Sequence, residues 1–151
     1  MIENKLAATN LAAAQDKLVS TNLGQGGGCQ SPLTFSVELP WPPRALSPNA
    51  RGHWAATAKV KKAYRAKCAH LGRQAGLQLA AGTSAGVRVH LSFFPPDRRG
   101  RDWDNLLASM KAGLDGLADA MGVDDRHWRL SFDVSDDTTP GGQVLAEVVV
   151  A

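Results

Sequence analysis

Three carboxylates and three guanidinium groups lie within ten positions near the middle of the chain, in segment 96–105. Two of the carboxylates, Asp102 and Asp104, are two positions apart, so their side chains point the same way where an extended chain enters a helix. Adjacent carboxylates repel each other unless one is protonated or a cation lies between them. Mg²⁺ is the expected cation, because it takes hard oxygen ligands and leaves positions for water and a substrate phosphate.

A second acidic pair, Asp124 and Asp125, follows the helix that is predicted over residues 104–121. A helix of this length spans about 27 Å, so the second pair reaches the first only if the chain folds back beside it. Structural roles stay open, because Asp102 or Asp104 can cap the helix and the later pair can form a turn. The sequence contains no Walker A or HExxH motif and no zinc-spaced Cys/His set.

Basic and acidic residues are unevenly distributed along the chain. Residues 44–101 hold twelve Lys or Arg and one acid, whereas residues 102–151 hold ten acids and three Lys or Arg. This pattern suits a protein that holds a polyanion such as DNA or RNA on one surface and a divalent cation in another place. Solvated surface charge explains the same asymmetry, so charge alone does not decide the function.

The elements that must position these residues follow from the hydropathy pattern. Alternating apolar and polar residues predict four strands, and two longer segments predict helices. The strands are expected at 33–39, 87–93, 130–134 and 144–150, and the helices at 55–80 and 104–121. The order β-α-β-α-β-β is typical of a single small domain of the α/β (α+β) class, with a mixed sheet covered by two main helices.

The first 32 residues are predicted to form a flexible N-terminal appendage to a folded domain at 33–151. Four glycines between positions 24 and 28 predict a hinge just before the first strand. The 151 residues, 44% of them hydrophobic, are enough for one domain with its own core.

Membrane and secretory classes are disfavoured by composition. No run approaches the ~20 apolar residues of a membrane span, and the N-terminus lacks the basic start and apolar run of a signal peptide. Cys29 and Cys68 are too few for a disulfide scaffold. We therefore expect a cytoplasmic protein with reduced thiols and no membrane partner.

Three blocks of sequence resemble the RusA family of Holliday-junction resolvases. They are LPWPP at 39–43, PDRRGRDWDN at 96–105, and KAGLDGL at 111–117 followed by Val123-Asp124-Asp125. The resemblance covers residues 33–150. It implies a small homodimeric, Mg²⁺-dependent endodeoxyribonuclease that nicks a four-way DNA junction symmetrically in recombination and repair. A two-fold symmetric protein would present two equivalent sites to the two strands that must be cut.

The resemblance also implies roles for individual residues. The two motif aspartates of the family correspond to Asp102 and Asp104, its third acid to Asp125 and its essential lysine to Lys111. Lys111 lies about one helical turn farther from Asp104 than the family pattern gives, although seven positions keep both on one helix face. The three acids would hold one or two Mg²⁺ ions, and Lys111 would stabilise negative charge as the phosphodiester is hydrolysed. A purely structural alternative is that Lys111 pairs with Asp115.

Residues beside the proposed metals are candidates for binding DNA phosphates. They are Arg98, Arg99 and Arg101, extended by the helix lysines Lys59 and Lys62. We expect at least three of the four tryptophans to pack in the core or anchor loops, and Trp103 to pack inward and orient the acids. Two alternatives stay open: a nuclease for other branched DNA, and a non-catalytic nucleic-acid-binding module.

Overall fold

A computed structural model describes residues 31–79 and 86–151. Most of the predicted N-terminal appendage, residues 1–30, lies outside these ranges, and so does Cys29. The domain boundary at residue 33 therefore stays a prediction, although the first strand begins at that residue.

Four strands form one sheet, and two helices pack against it. The strands are β1 (Leu33–Pro40), β2 (Val87–Phe94), β3 (Trp128–Val134) and β4 (Gln143–Val150), and the helices are α1 (Trp54–Gln74) and α2 (Trp103–Met121). Single turns of 3-10 helix follow β1 at Arg44–Leu46 and precede β3 at Asp125–His127. The β-α-β-α-β-β order and the mixed sheet confirm the predicted fold class.

The sheet has the strand order β1-β4-β2-β3. β4 is antiparallel to both of its neighbours, whereas β2 and β3 are parallel. β1, β2 and β3 consequently run in one direction, and each helix returns the chain from one of them to the next. The carboxyl ends of β1 and β2 and the first turns of both helices therefore lie at the same end of the domain.

The core fills the space between the helices and one face of the sheet. Alternate residues of β2 and β4 are buried, with side chains such as Leu91, Phe93 and Val148 fully shielded from solvent. This is the two-residue period that alternation in the sequence predicts. The edge strand β3 is less well covered, because Leu130 and Val134 remain 41% and 42% exposed.

The two helices approach each other closely through small residues. A β-carbon at Gly116 of α2 would overlap the carbonyl oxygen of Arg65 and lie 3.0 Å from the Cys68 β-carbon of α1. One turn earlier, a β-carbon at Gly113 would crowd Tyr64. The Tyr64 hydroxyl donates a 2.7 Å hydrogen bond to the Pro40 carbonyl, so α1 is also tied to the end of β1.

One predicted boundary is wrong. The first helix was expected to continue to residue 80, but it ends at Gln74. Gly76 adopts the left-handed conformation, with φ at 79°, and the Leu77 amide donates back to the Gly72 carbonyl at 2.9 Å. This turn ends the helix and buries Leu77 in the core. Neither helix is long and apolar enough to cross a membrane, within the residues described.

Candidate active site

Asp102 is the residue immediately before α2, in extended conformation with φ −74° and ψ 123°. Its side chain makes no capping hydrogen bond to the helix. Instead, its Oδ2 accepts a 3.2 Å hydrogen bond from the Asn105 amide nitrogen Nδ2. The capping alternative therefore does not account for the Asp102 carboxylate, which stays exposed at the start of the helix.

Asp104 lies in the first turn of α2 and is also exposed. Its Oδ1 accepts a 2.8 Å hydrogen bond from the backbone amide of Asn105. A carboxylate at this position interacts favourably with the positive end of the helix dipole. Asn105 thus bonds to both acids and holds them at the same end of α2.

Lys111 lies two turns farther along α2 and connects two other carboxylates. Its ammonium is 2.8 Å from Asp115, four positions later on the helix, and it also contacts Asp125. These two hydrogen bonds, with Asp115 the larger influence, raise the pKa of Lys111 above its usual value. Lys111 therefore makes the structural pair that the sequence allowed and, in addition, reaches the third predicted acid.

Asp124 has a structural role. It caps the short 3-10 turn by accepting the Arg126 backbone amide at 3.0 Å, and it pairs with the Arg126 guanidinium at 2.5 Å. These two interactions, the side-chain bond first, hold the pKa of Asp124 well below its usual range. Asp124 therefore takes the turn role that was the structural alternative for the second acidic pair.

The predicted catalytic residues form two groups along one helix. Asp102 and Asp104 lie at its start, whereas Lys111 and Asp125 meet about 10 Å farther along the axis, at ~1.5 Å per residue. Across residues 31–79 and 86–151, no three His, Cys, Asp or Glu side chains converge closely enough to hold a metal ion. The chain thus folds back beside α2 as required, but it brings Asp125 to Lys111 and not into a closed set with the first two acids.

The three predicted phosphate-binding arginines differ in how they are held. Arg101 is bound internally: its guanidinium donates to the Asp97 side chain at 2.7 Å and to the Asp97 and Arg99 carbonyls, and it lies 5.5 Å from the Trp41 ring centre. Arg98 and Arg99 are exposed. Hydrogen bonds from the Arg99 amide and the Arg101 side chain lower the pKa of Asp97. Arg101 therefore orders the loop that carries the exposed Arg98 and Arg99.

The two predicted helix lysines, Lys59 and Lys62, lie in the first half of α1 and are exposed. Because α1 and α2 begin at the same end of the domain, these lysines lie in the half of α1 nearer to the end that carries Asp102 and Asp104.

A cavity of about 580 Å³ opens next to Asp102. The loop between β1 and α1 forms one wall, with Arg44, Asn49 and Arg51, and the start of α2 forms the other, with Asp102 and Asn105. Within the described part of the chain, the guanidinium groups of Arg44 and Arg51 have no hydrogen-bond or ion-pair partner, in contrast to Arg101.

Two tryptophans are not where we expected them. Trp103 is 62% exposed and stacks on Phe132 of β3, with ring centres 5.9 Å apart and planes at 26°. As the first residue of α2 it lies outside the helix–sheet interface, so the prediction that Trp103 packs inward is wrong. Trp54 is 77% exposed. Among the four tryptophans, Trp41 and Trp128 pack against the core.

Comparisons with known proteins identify relatives of this chain. No family model matches it. An uncharacterized protein of Xylella fastidiosa is 39% identical over 114 residues, which are 75% of this chain and 74% of that protein. The crossover junction endodeoxyribonuclease RusA of Escherichia coli K12 is 36% identical over 89 residues, 58% of this chain and 69% of the relative. The chain belongs to the RusA family. RusA of Shigella sonnei is 35% identical over the same length.

For this member of the RusA family, sequence reasoning missed the arginines of the β1–α1 loop. Arg44 and Arg51 belong to no motif, and they are 51 or more positions before Asp102. Their one signal was the strong positive balance of residues 44–101. Only the return of the chain through β2 brings this loop to the start of α2.

Proposed function

We propose that this protein is a Mg²⁺-dependent endodeoxyribonuclease, a hydrolase that resolves four-way (Holliday) DNA junctions by paired nicks in DNA recombination and repair. The observation that carries the proposal is that Lys111, on the helix that Asp102 immediately precedes, contacts Asp125 in the turn after that helix. The name of the Escherichia coli relative, a crossover junction endodeoxyribonuclease, supports the same activity here. A DNA substrate of this kind would be met in the cytoplasm.

The donor chemistry of the acids fits Mg²⁺: Asp102 and Asp104 would hold the ion, and Asp125, which contacts Lys111 in this structure, is the third proposed ligand. Oδ1 of Asp102 and Oδ2 of Asp104 accept no hydrogen bond from any described residue. Mg²⁺ usually takes one or two protein carboxylates and completes its shell with water and substrate phosphate, so it does not need three converged ligands. The bound ion supplies positive charge at the scissile phosphate and lowers the pKa of water.

The remaining chemistry falls to side chains of α2 and its loop. The Lys111 ammonium, protonated at neutral pH, stabilises the negative charge that develops on the phosphate oxygens or on the leaving oxygen. Asp115 and Asp125 hold that ammonium in place from two sides. Arg98 and Arg99 bind flanking phosphates, since exposed guanidinium groups pair well with phosphate oxygens. Lys59 and Lys62 extend the contact with phosphates along the DNA strand.

A homodimer would supply the two equivalent sites that paired nicks need. The edge strand β3 offers a suitable surface, because Leu130, Val134 and the stacked Trp103 expose apolar area there. The outer edge of β3 has no strand neighbour among the described residues. A second copy that pairs along this edge would cover both the apolar side chains and the unpaired backbone.

The decisive test is cleavage of an end-labelled four-way junction in Mg²⁺, in Mn²⁺ and in EDTA, beside linear duplex and a 5′ flap. We expect paired nicks near the branch point that require the metal and are lost in Asp102→Asn. Asp124→Asn is the matched control, because it changes an aspartate that is bound within a turn.

Each alternative has its own outcome in this experiment. Equal cutting of the flap and the junction would replace the resolvase with a nuclease for branched DNA in general. Junction binding without cleavage in either metal would contradict enzymatic activity and leave a nucleic-acid-binding module.

A further inference from the structure

We propose that the cavity between the β1–α1 loop and the start of α2 binds one unpaired nucleotide of the DNA strand, and that Arg44 and Arg51 hold the phosphates on either side of it. This inference rests on the proposed function, because it places a substrate nucleotide next to the acids that begin α2. It assigns roles to two arginines that belong to none of the sequence motifs.

The dimensions of the cavity suit a nucleotide. Its volume of about 580 Å³ falls inside the range of about 300–1,000 Å³ that is common for pockets that bind small organic molecules. A duplex is far too wide to enter, so only a base that has left its stack fits between the two walls. Pro42, Ala45 and Leu106 provide apolar lining, and Asn49 provides an amide that both donates and accepts hydrogen bonds.

The charge of the cavity suits the phosphates of that nucleotide. Three arginines and a single carboxylate, that of Asp102, line the cavity. Arg101 is bound by Asp97 and packs on Trp41, which leaves Arg44 and Arg51 as the guanidinium groups available to a ligand. A guanidinium presents two parallel N–H donors to phosphate oxygens, and no acceptor among residues 31–79 and 86–151 occupies those donors in Arg44 or Arg51.

The surroundings of the loop add to the same preference. The first turn of α1, just after Arg51, contains no acidic residue, so no carboxylate offsets the positive end of its helix dipole. Trp54 in that turn is 77% exposed, and an exposed indole favours stacking with a base. An anionic, aromatic ligand thus meets complementary groups on both sides of Arg51.

A pocket for an unpaired nucleotide gives a physical reason for selecting branched DNA. Removing a base from a duplex costs a few kcal/mol, and the cost is lowest where pairing is already broken. Nucleotides at a branch point meet that condition, whereas those of a linear duplex do not. Because Asp102 forms part of the wall, the captured nucleotide would lie next to the phosphate that is cut.

The test measures base unstacking directly, with 2-aminopurine, whose fluorescence rises when it leaves a stack. The probe is placed in turn at each position within three nucleotides of the branch point of a four-way junction, and once in a single-stranded 12-mer. Binding is measured in EDTA, so cleavage plays no part. The variants are Ala50→Trp, which fills the cavity from an exposed position, and the double variant Arg44→Ala/Arg51→Ala. Arg88→Ala, which removes one arginine from the opposite face of the sheet, is the control for general surface charge.

We expect the fluorescence of 2-aminopurine at one junction position to rise at least threefold when the wild type binds, and not when Ala50→Trp binds. The double arginine variant should bind the single strand at least tenfold more weakly. It should also lower the slope of log K against log salt by about 1.4, since each phosphate contact to a single strand contributes about 0.7. Arg88→Ala should leave both the brightening and the slope unchanged.

Several results would overturn the inference. One is a wild-type scan in which no position brightens; another is brightening that survives in Ala50→Trp. If the salt slope falls as much per arginine removed in Arg88→Ala as in the double variant, Arg44 and Arg51 act only as general surface charge. Failure of the proposed function is a separate outcome. If the wild type raises the fluorescence of the 12-mer, the double arginine variant does not, and no DNA is cut, then the nucleotide pocket is supported and the nuclease activity is contradicted.

Discussion

Lys111 and Asp125 are fourteen positions apart in the chain, yet their side chains are in direct contact. Between them α2 ends at Met121, Gly122 adopts the left-handed conformation with φ 72°, and the chain turns back beside the helix. The contact matters because Asp125 has one-third of its side chain exposed and Lys111 about half. The pair is therefore open to a substrate and not enclosed in the core.

Lys111→Met should separate cleavage from binding. Loss of the ammonium removes a donor that acts on developing negative charge, and the loss of such a donor typically costs about 100- to 1,000-fold in rate. Junction affinity in EDTA should change less than threefold. The comparison variant is Asp115→Asn, which removes one partner of Lys111 but keeps the ammonium and its contact with Asp125, so its cleavage rate should fall less than that of Lys111→Met. Equal rates for Lys111→Met and the wild type would contradict the catalytic role.

Asp125→Asn and Asp124→Asn should differ sharply, although the residues are adjacent. Asp125→Asn removes a negative charge that would hold Mg²⁺ and Lys111, so we expect a loss of cleavage of at least 100-fold. Asp124→Asn keeps an oxygen that accepts the Arg126 amide, so cleavage should stay within threefold of the wild type. Titration of Mg²⁺ by calorimetry in the presence of junction DNA checks the metal directly. A normal Mg²⁺ affinity in Asp125→Asn would remove this residue from the metal site.

Local patterns in the sequence were sufficient for the fold class but not for the site. The alternation of residues 87–93 predicts a strand because its period of two is independent of the rest of the chain. The contact of Lys111 with Asp125 depends on how the turn after α2 packs, and nothing in the local sequence encodes that direction. Trp103 shows the same limit: an indole is apolar enough for the core, and only the packing of α2 over β3 leaves it outside.

Gly116→Ala should destabilise the domain strongly. A methyl group at this position would collide with the backbone of α1 at Arg65 and Ala69, and backbone cannot move aside as a flexible side chain can. Overpacking of this kind costs about 1–3 kcal/mol. Urea denaturation followed by circular dichroism measures the change. Gly86→Ala is the control, since a β-carbon there meets no atom within 4 Å. Similar stabilities for the two variants would show that the helices separate easily.

The Arg65–Asp119 pair should make stability depend on pH on the acid side. The Arg65 guanidinium donates two hydrogen bonds, at 2.6 and 2.7 Å, to the Asp119 carboxylate and lowers the pKa of Asp119 below its usual 3.8. A lowered pKa means that the pair stabilises the fold above about pH 4 and that this contribution is lost as the pH falls. Wild type should therefore be more stable than Asp119→Asn at pH 7, with a difference that narrows towards pH 3.

A double-mutant cycle identifies the source of that pH dependence. Once Arg65→Met has removed the partner, adding Asp119→Asn should have little further effect at any pH between 3 and 7. The stability effect of Asp119→Asn is compared in the wild type and in Arg65→Met. If the difference between these two effects stays the same as the pH falls, Asp119 acts through packing and not through the ion pair.

Leucines on the two edge strands give a matched test of the homodimer. Leu130 on β3 is 41% exposed and Leu33 on β1 is 58% exposed, so a charge at either position disturbs no buried core. If a second copy covers the β3 edge, Leu130→Glu should convert the dimer to a monomer in sedimentation equilibrium, because the interface would bury an unpaired charge. Leu33→Glu should remain dimeric. The reverse pattern would move the interface to β1, and a monomeric wild type would mean that paired nicks need two independent binding events.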